Sequence, residues 1–228
     1  MKVTRRITSH LYYPEAEKKK EDTTLLSAIS QAATEYLRTS AGQLAADVIM
    51  PTPFISQFEY QWQEGDQIQV KVDGEKRTAT AVFRNGLENR TLFVFDRCLC
   101  RMPMYENPPS GTLDYQSSDV HQYLQEMSLT IPWKWRKRML EQNGDLLFLL
   151  SKKSVCGAED DPDAQLPWFK DPLHRITNVP GEDYSASWWL RDVVSGTNFA
   201  YVGTTGFASY GGASGSLGVR PAFWLLDL

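Results

Sequence analysis

With 228 residues, 24 Lys plus Arg against 28 Asp plus Glu, and 42% apolar side chains, the chain is sized for one large globular domain or one domain with an appendage. Its formal charge of -4 argues against a nucleic-acid partner, since proteins that grip a phosphate backbone gather Lys and Arg until the domain is strongly basic. No stretch approaches the run of about 18 apolar residues that a membrane span needs, and Met1 to His10 carries charges without an apolar run behind them. Neither a span nor a Sec signal peptide is expected, which fits a cytoplasmic or virion-associated protein.

Residues 1–22 mix six basic and four acidic side chains with no sustained apolar period, and read as an exposed arm. From Thr23 the spacing of Leu25, Leu26, Ile29, Ala32, Ala33, Tyr36 and Leu37 predicts an amphipathic helix over residues 23–41, capped by Asp22 or Thr23 and ending near Gly42. This helix either docks on the rest of the chain or mediates self-association into a homo-oligomer, so residues 1–50 are assigned to an arm plus helix and 51–228 to the main domain.

After Pro51 and Pro53 the apolar period becomes two. Phe58, Tyr60 and Trp62 alternate with polar residues, as do Ile68, Val70 and Val72, the pattern of half-buried antiparallel strands. Thr78 to Phe83 and Thr91 to Phe95 flank Asn85-Gly86, a pair favoured where both turn residues need positive φ, and predict a hairpin. Ser117 or Ser118 would cap a helix carrying Val120, Tyr123, Leu124 and Met127, and Pro132 would open a second helix, Trp133 to Glu141, closed by Asn143-Gly144. Leu146 to Leu150 reads as a buried strand, 157–181 as a long irregular excursion, and Ser187–Arg191, Phe199–Val202 and Val219–Leu225 as short closing strands. Strands, then helices, then strands, without regular βαβ alternation, give the fold class α+β.

The chemistry-bearing motifs are mostly excluded by their spacing. Cys98, Cys100 and Cys156 are odd in number and specify no disulfide framework; with only His10, His121 and His174 besides, no zinc pattern forms, and no metal or cofactor is implied. The acidic run Glu159, Asp160, Asp161 and Asp163 lacks the order of a calcium loop and reads as a solvated turn. No Walker loop, G-x-G-x-x-G, G-x-S-x-G or H-E-x-x-H is present, and no nucleophile partner is visible for either histidine. In Trp133-Lys134-Trp135-Arg136-Lys137-Arg138 the tryptophans are expected to pack inward while the cations face water.

The segment Ser195–Gly218 is unusual. Of its 24 residues seven are Gly, seven Ser or Thr, four aromatic and none charged. Rigid aromatic rings among small hydroxyls and glycines suit an adaptable recognition surface with Tyr201, Phe207 and Tyr210 as anchors. The same composition also suits a loop-rich sheet edge in which glycines mark turns and the aromatics fill the core.

Trp188-Trp189-Leu190-Arg191 and Gly218-Val219-Arg220-Pro221-Ala222-Phe223-Trp224-Leu225 carry a resemblance. The chain resembles an uncharacterised bacterial and phage domain family with a W-W-L-R segment followed by a terminal G-V-R-P-A-[LF]-W, and its Leu92–Asp96, Ser118–Leu124 and Asp145–Ser151 segments agree. The resemblance covers about residues 60–228 and leaves out 1–50. That family is similar in turn to the C-type-lectin-like fold of formylglycine-generating enzymes and of the variable receptor-binding proteins of diversity-generating retroelements. The resemblance implies that the loops before the closing strand bind a protein or carbohydrate ligand, and it assigns Asn198, Tyr201, Thr204, Thr205, Phe207, Ser209, Tyr210 and Ser214 to that surface. It implies no catalytic residue, because no cysteine follows Cys156 where a formylglycine-generating enzyme has its active-site pair. An enzyme of that type, another small-molecule enzyme, and a virion structural protein stay open as alternatives. Of the tandem tryptophans, one is expected in the core and one under the loop surface, with Arg191 and Arg220 as buried or half-buried cations that pin loops by hydrogen bonds to carbonyls or to an acid such as Asp192.

Overall fold

The computed structural model describes residues 61–158 and 160–227, so the expected N-terminal arm, the 23–41 helix, and strand residues Phe58 and Tyr60 lie outside the described residues. Among the described residues ten strands form two five-stranded sheets, largely antiparallel, and the helices are few and short, so the architecture is α+β.

The first sheet begins with β1 (Gln67–Val72), whose alternate residues Ile68, Val70 and Val72 are buried as the period-two pattern predicts. Asp73 and Gly74 then turn the chain with φ of 48° and 78°, the positive pair a two-residue hairpin requires, and β2 (Glu75–Asn85) returns antiparallel. β2 pairs with β3 (Arg90–Phe95), so the second hairpin is as expected, but its turn is not a two-residue Asn85-Gly86 loop. Residues 86–89 make the connection, the positive φ sits at Asn89 (51°), and the Asn85 side chain accepts from the Leu87 and Glu88 amides.

The helix α1 (Asp119–Thr130) starts where Ser118 Oγ accepts from the His121 amide and buries Val120 and Leu124. It lies against β1, where Thr130 Oγ1 accepts from the Asp73 amide at 2.8 Å. The second predicted helix is cut to one turn, α2 (Trp133–Arg136), with Pro132 at its cap rather than inside it. The reason is β5 (Met139–Leu140), which is held in the sheet by Leu225 and Trp224, so tertiary pairing overrides local helical preference. Asn143 and Gly144, at φ 56° and 91°, turn the chain between Gln142 and Asp145 instead of ending a helix. Leu147 to Leu150 is buried as expected but forms only one bridge, Phe148 to Ala222, and no regular strand. Trp62 is buried in a non-strand segment, edge-on to Phe93 at 5.3 Å, so its predicted place in a strand is wrong.

After α3 (Lys152–Cys156) the expected irregular region contains three short 3-10 turns, Pro162–Ala164, Pro167–Lys170 and Pro172–Arg175. The second sheet follows: β6 (Trp188–Ser195), β7 (Asn198–Val202), β8 (Ala208–Gly212) and β9 (Ser216–Gly218), joined by the earlier β4 (Arg101–Pro103) in the order β4-β9-β6-β7-β8. The closing strand β10 (Ala222–Leu226) returns to the first sheet and inserts between β3 and β5, later in its start than the predicted Val219.

The core has two faces on the first sheet. Phe93, Phe95 and Phe223 lie together on one side, Phe93 stacked on Phe223 at 5.6 Å. On the other, Leu92, Val94, Ala222 and Trp224 join Trp188, Leu190, Ala200 and Val202 of the second sheet, together with Val155 and Phe169 from the irregular region. Burial of that much apolar surface is what makes the two sheets one folding unit.

Candidate functional site

The second sheet is built around Trp188-Trp189. Both are fully buried, and they point to opposite faces as the strand period predicts. Trp188 joins the inter-sheet core and donates from its indole nitrogen to the Arg175 carbonyl at 2.9 Å. Trp189 points to the other face, where it meets Phe199 and Tyr201 edge-on and donates to the Met102 carbonyl at 3.0 Å. Tyr105 approaches the same Phe199 ring, so this face is also covered.

Two buried arginines brace the loops around this sheet. Arg220 donates to the carbonyls of Phe95 (2.8 Å) and His174 (3.2 Å) and sits over the Trp188 ring at 5.1 Å. That is the pinning role expected of it, made through carbonyls and rings, and burial pulls its pKa down. Arg191 is half-buried, and Asp192 accepts from the Lys152 amide. Sequence reasoning missed Arg175, which is buried and donates to the Phe169 carbonyl at 2.7 Å and the Gly206 carbonyl at 3.2 Å. Nothing in its local sequence distinguishes it from a surface arginine.

The hairpin β7–β8 carries the predicted recognition residues. Its tip is closed by bonds from Gly203 N to Phe207 O (2.8 Å) and Gly206 N to Gly203 O (2.9 Å). Gly206 stands at φ +84°, and a Cβ there would lie 2.5 Å from the Pro172 carbonyl oxygen, so the tip is pressed against the third 3-10 turn and can hold no other residue without moving. The far end is tied down by Ala213 N to Thr197 O and Tyr105 N to Ala213 O.

The pairing register divides the predicted residues between the two faces. Asn198 opposes Gly212 and Tyr210 opposes Ala200, on the face of the inter-sheet core; Tyr201 opposes Ser209, on the Trp189 face. Phe207 and Tyr210 are each 65% exposed, and Thr204, Thr205, Ser209 and Ser214 are exposed with them. Asn198 and Tyr201 are half-buried; Asn198 donates to Ser195 Oγ, and Tyr201 packs on Trp189 and over Gly211, where a Cβ would come within 3.2 Å of its ring. Tyr201 is therefore partly scaffold, and the eight residues do not form one flat face. Among the described residues β8 is the sheet edge and pairs only with β7, and it bears no charge.

A separate cleft of about 810 Å³ opens between α3 and the end of β6, lined by Lys152, Lys153, Cys156, Gln165, Asp192 and Val194 among others. Burial pushes the Cys156 thiol up from its ordinary value, against the pull of the Arg175 guanidinium, so the neutral thiol dominates near pH 7. Lys153 is engaged by Asp161 at 2.8 Å, and this ion pair occupies one member of the acidic run. His174 stacks on Trp168 at 3.9 Å with Nδ1 on the Trp168 carbonyl oxygen, while His121 Nε2 meets the buried Asp145 at 3.0 Å. Cys98, Cys100 and Cys156 are free thiols, Cys98 buried and the other two half-buried. Among the described residues no three His, Cys, Asp or Glu side chains gather closely enough to hold a metal ion, and no helix is long and apolar enough to cross a membrane.

Trp135 is buried as expected, whereas Trp133 is 67% exposed with Lys137 Nζ 4.8 Å from its ring centre, so only half of the inward-packing expectation for this pair holds.

Residues 132–226 match the model of a family described as a domain of unknown function, DUF6273. That span contains β5 to β10, hence both tryptophans, both buried arginines and the whole β7–β8 hairpin. No curated protein and no solved structure matches the chain.

Proposed function

We propose that the protein is a non-enzymatic recognition module with a C-type-lectin-like organisation, presenting the β7–β8 hairpin and the loop after it to a protein or carbohydrate ligand. The observation that carries this is the pair Phe207 and Tyr210, two large rings held two-thirds in water on an uncharged hairpin whose tip and base are fixed. A ring that is already ordered loses little side-chain entropy on binding and can stack on a sugar face or fill a pocket in a protein. Thr204, Thr205, Ser209 and Ser214 supply adaptable hydrogen bonds around it. The lectin-like organisation is supported by the closing strand, which returns to pair with the first hairpin after long irregular excursions.

The test is a glycan array and a set of candidate protein ligands probed with the labelled chain and with Tyr210→Asp and Phe207→Asp variants. Both variants are expected to keep the parent melting temperature and to lose the parent's binding pattern. If both still give that pattern, the hairpin is not the binding surface; a melting temperature that falls as for a lost core aromatic, several kcal/mol, places the ring inside.

A second reading, a small-molecule site, is favoured by the cleft beside α3, where Cys156 and Asp192 share one wall and the volume falls in the range of ligand pockets. The protonated thiol speaks for binding there rather than for nucleophilic catalysis.

A further inference from the structure

A second, smaller groove of about 390 Å³ lies away from the β7–β8 hairpin, between β2, the corner that follows β3, and Pro180. Lys76, Arg77, Thr78, Asp96 and Arg97 form its walls. The charges in it are not equivalent. The Asp96 carboxylate is turned to Thr80 Oγ1 and Gln67 Nε2, and Arg77 is engaged by Glu75 at 2.5 Å. Lys76 and Arg97 are exposed, and neither makes an ion pair among the described residues.

The strand register adds an independent observation. Lys71 stands directly opposite Lys76 in the β1–β2 ladder, and it too makes no ion pair among the described residues. Two like charges at directly opposed positions have Cβ atoms about 5 Å apart and destabilise a hairpin, a cost that a bound anion removes. In a protein of net charge -4, three unpaired cations around one groove mark a local reversal of the field.

We infer that this groove binds a small phosphate-bearing molecule, with Lys76 and Arg97 as its principal contacts, Lys71 as a neighbouring positive charge and the Thr78 hydroxyl as a neutral donor. A tetrahedral dianion suits it better than a carboxylate. The Arg97 fork can take two oxygens and Lys76 a third, whereas a carboxylate offers only two. The volume admits a phosphate ester or a diphosphate and leaves no long channel for a polymer. The groove lies almost wholly outside residues 132–226, so it is a property of the β1–β3 half of the protein and independent of the hairpin surface.

The experiment is isothermal titration of the full chain with inorganic phosphate, pyrophosphate and acetate at low ionic strength, repeated for Lys76→Gln/Arg97→Gln and, as a control outside both grooves, for the exposed Lys134→Gln. Saturable one-to-one binding of phosphate, tighter for pyrophosphate and absent for acetate, is expected. The double variant should weaken it about a hundredfold, about tenfold for each of the two lost charged contacts, and Lys134→Gln should leave it unchanged. Absence of saturable binding overturns the proposal, as does full affinity in a double variant whose melting curve matches the parent. If the double variant does not fold, Lys76→Gln alone is titrated against the same criterion. A single-stranded oligonucleotide that binds far more tightly than pyrophosphate, with a steep salt dependence, would make the groove part of a polymer track and overturn the small-ligand assignment.

Discussion

Replacing Gly206 by Ala tests the tethered hairpin tip directly. The position stands at φ +84°, where an L residue other than glycine costs about 1–2 kcal/mol. The added Cβ would lie 2.5 Å from the backbone oxygen of Pro172, which cannot rotate away as a side-chain end could. The tip must therefore lift, and the bond from buried Arg175 to the Gly206 carbonyl, 3.2 Å long, goes with it. A hydrogen bond from a charged group is worth about 1.5–3 kcal/mol, so the expected loss is about 2.5–5 kcal/mol. Gly144→Ala is the matched control: φ is +91°, yet nothing lies within 4 Å of its Cβ, and only the backbone cost of about 1–2 kcal/mol applies. Urea unfolding with an unchanged slope separates the two, the Gly206 midpoint falling well below the Gly144 one. Equal midpoints would refute the claim that the tip is seated on the third 3-10 turn.

The two tryptophans of α2 give a contrast in stability. Trp135→Ala should cost about 3–5 kcal/mol as a buried aromatic, while Trp133→Ala should shift the thermal midpoint only slightly; equal losses would mean that Trp133 is covered. Cys98 predicts a pH effect, because burial pushes its thiol from 9.0 up to about 11. The folded state then holds a proton that the unfolded chain has released, so this contribution is intact below pH 9 and is lost as pH rises toward 11. At pH 11, where the folded thiol is half ionised, the loss is about 2 kcal/mol, and urea melts at pH 8 and pH 11 should show Cys98→Ala with a correspondingly smaller difference than the parent; an identical difference would remove Cys98 as the source.

Local signals in the sequence were strong where one residue decides one bond. Ser118 caps α1, the alternation of Ile68, Val70 and Val72 makes β1, and Arg220 is a buried clamp, all readable from type and spacing. Signals failed where a distant strand decided. The helix expected over Trp133–Glu141 gives way at Met139 because β10 offers backbone partners there, and nothing within that stretch announces them. Asp73-Gly74 carries the same hairpin signal as Asn85-Gly86, and it is the pair that forms the two-residue turn. β8 escaped notice because Gly211 and Gly212 suppress any strand pattern. For the candidate surface, composition identified the hairpin but could not separate Tyr201 from Tyr210. They lie on different strands, and only the register of β7 against β8 shows that their rings leave opposite faces.

The place of β10 bears on how the protein is made. Residues 222–226 complete a sheet three of whose members, β1 to β3, are drawn from residues 67–95, and they supply the ladder on both sides, to β3 and to β5. During synthesis the first two hairpins emerge with Phe93 lacking its stacking partner Phe223 and with the outer edge of β3 open. Pairing of such sequence separation is slow to form, and an unpaired edge recruits other chains in the interval. Ribosomal pausing or truncation ahead of residue 222 would thus leave two ladders unformed at the centre of the sheet, and the outcome would be aggregation rather than a frayed end.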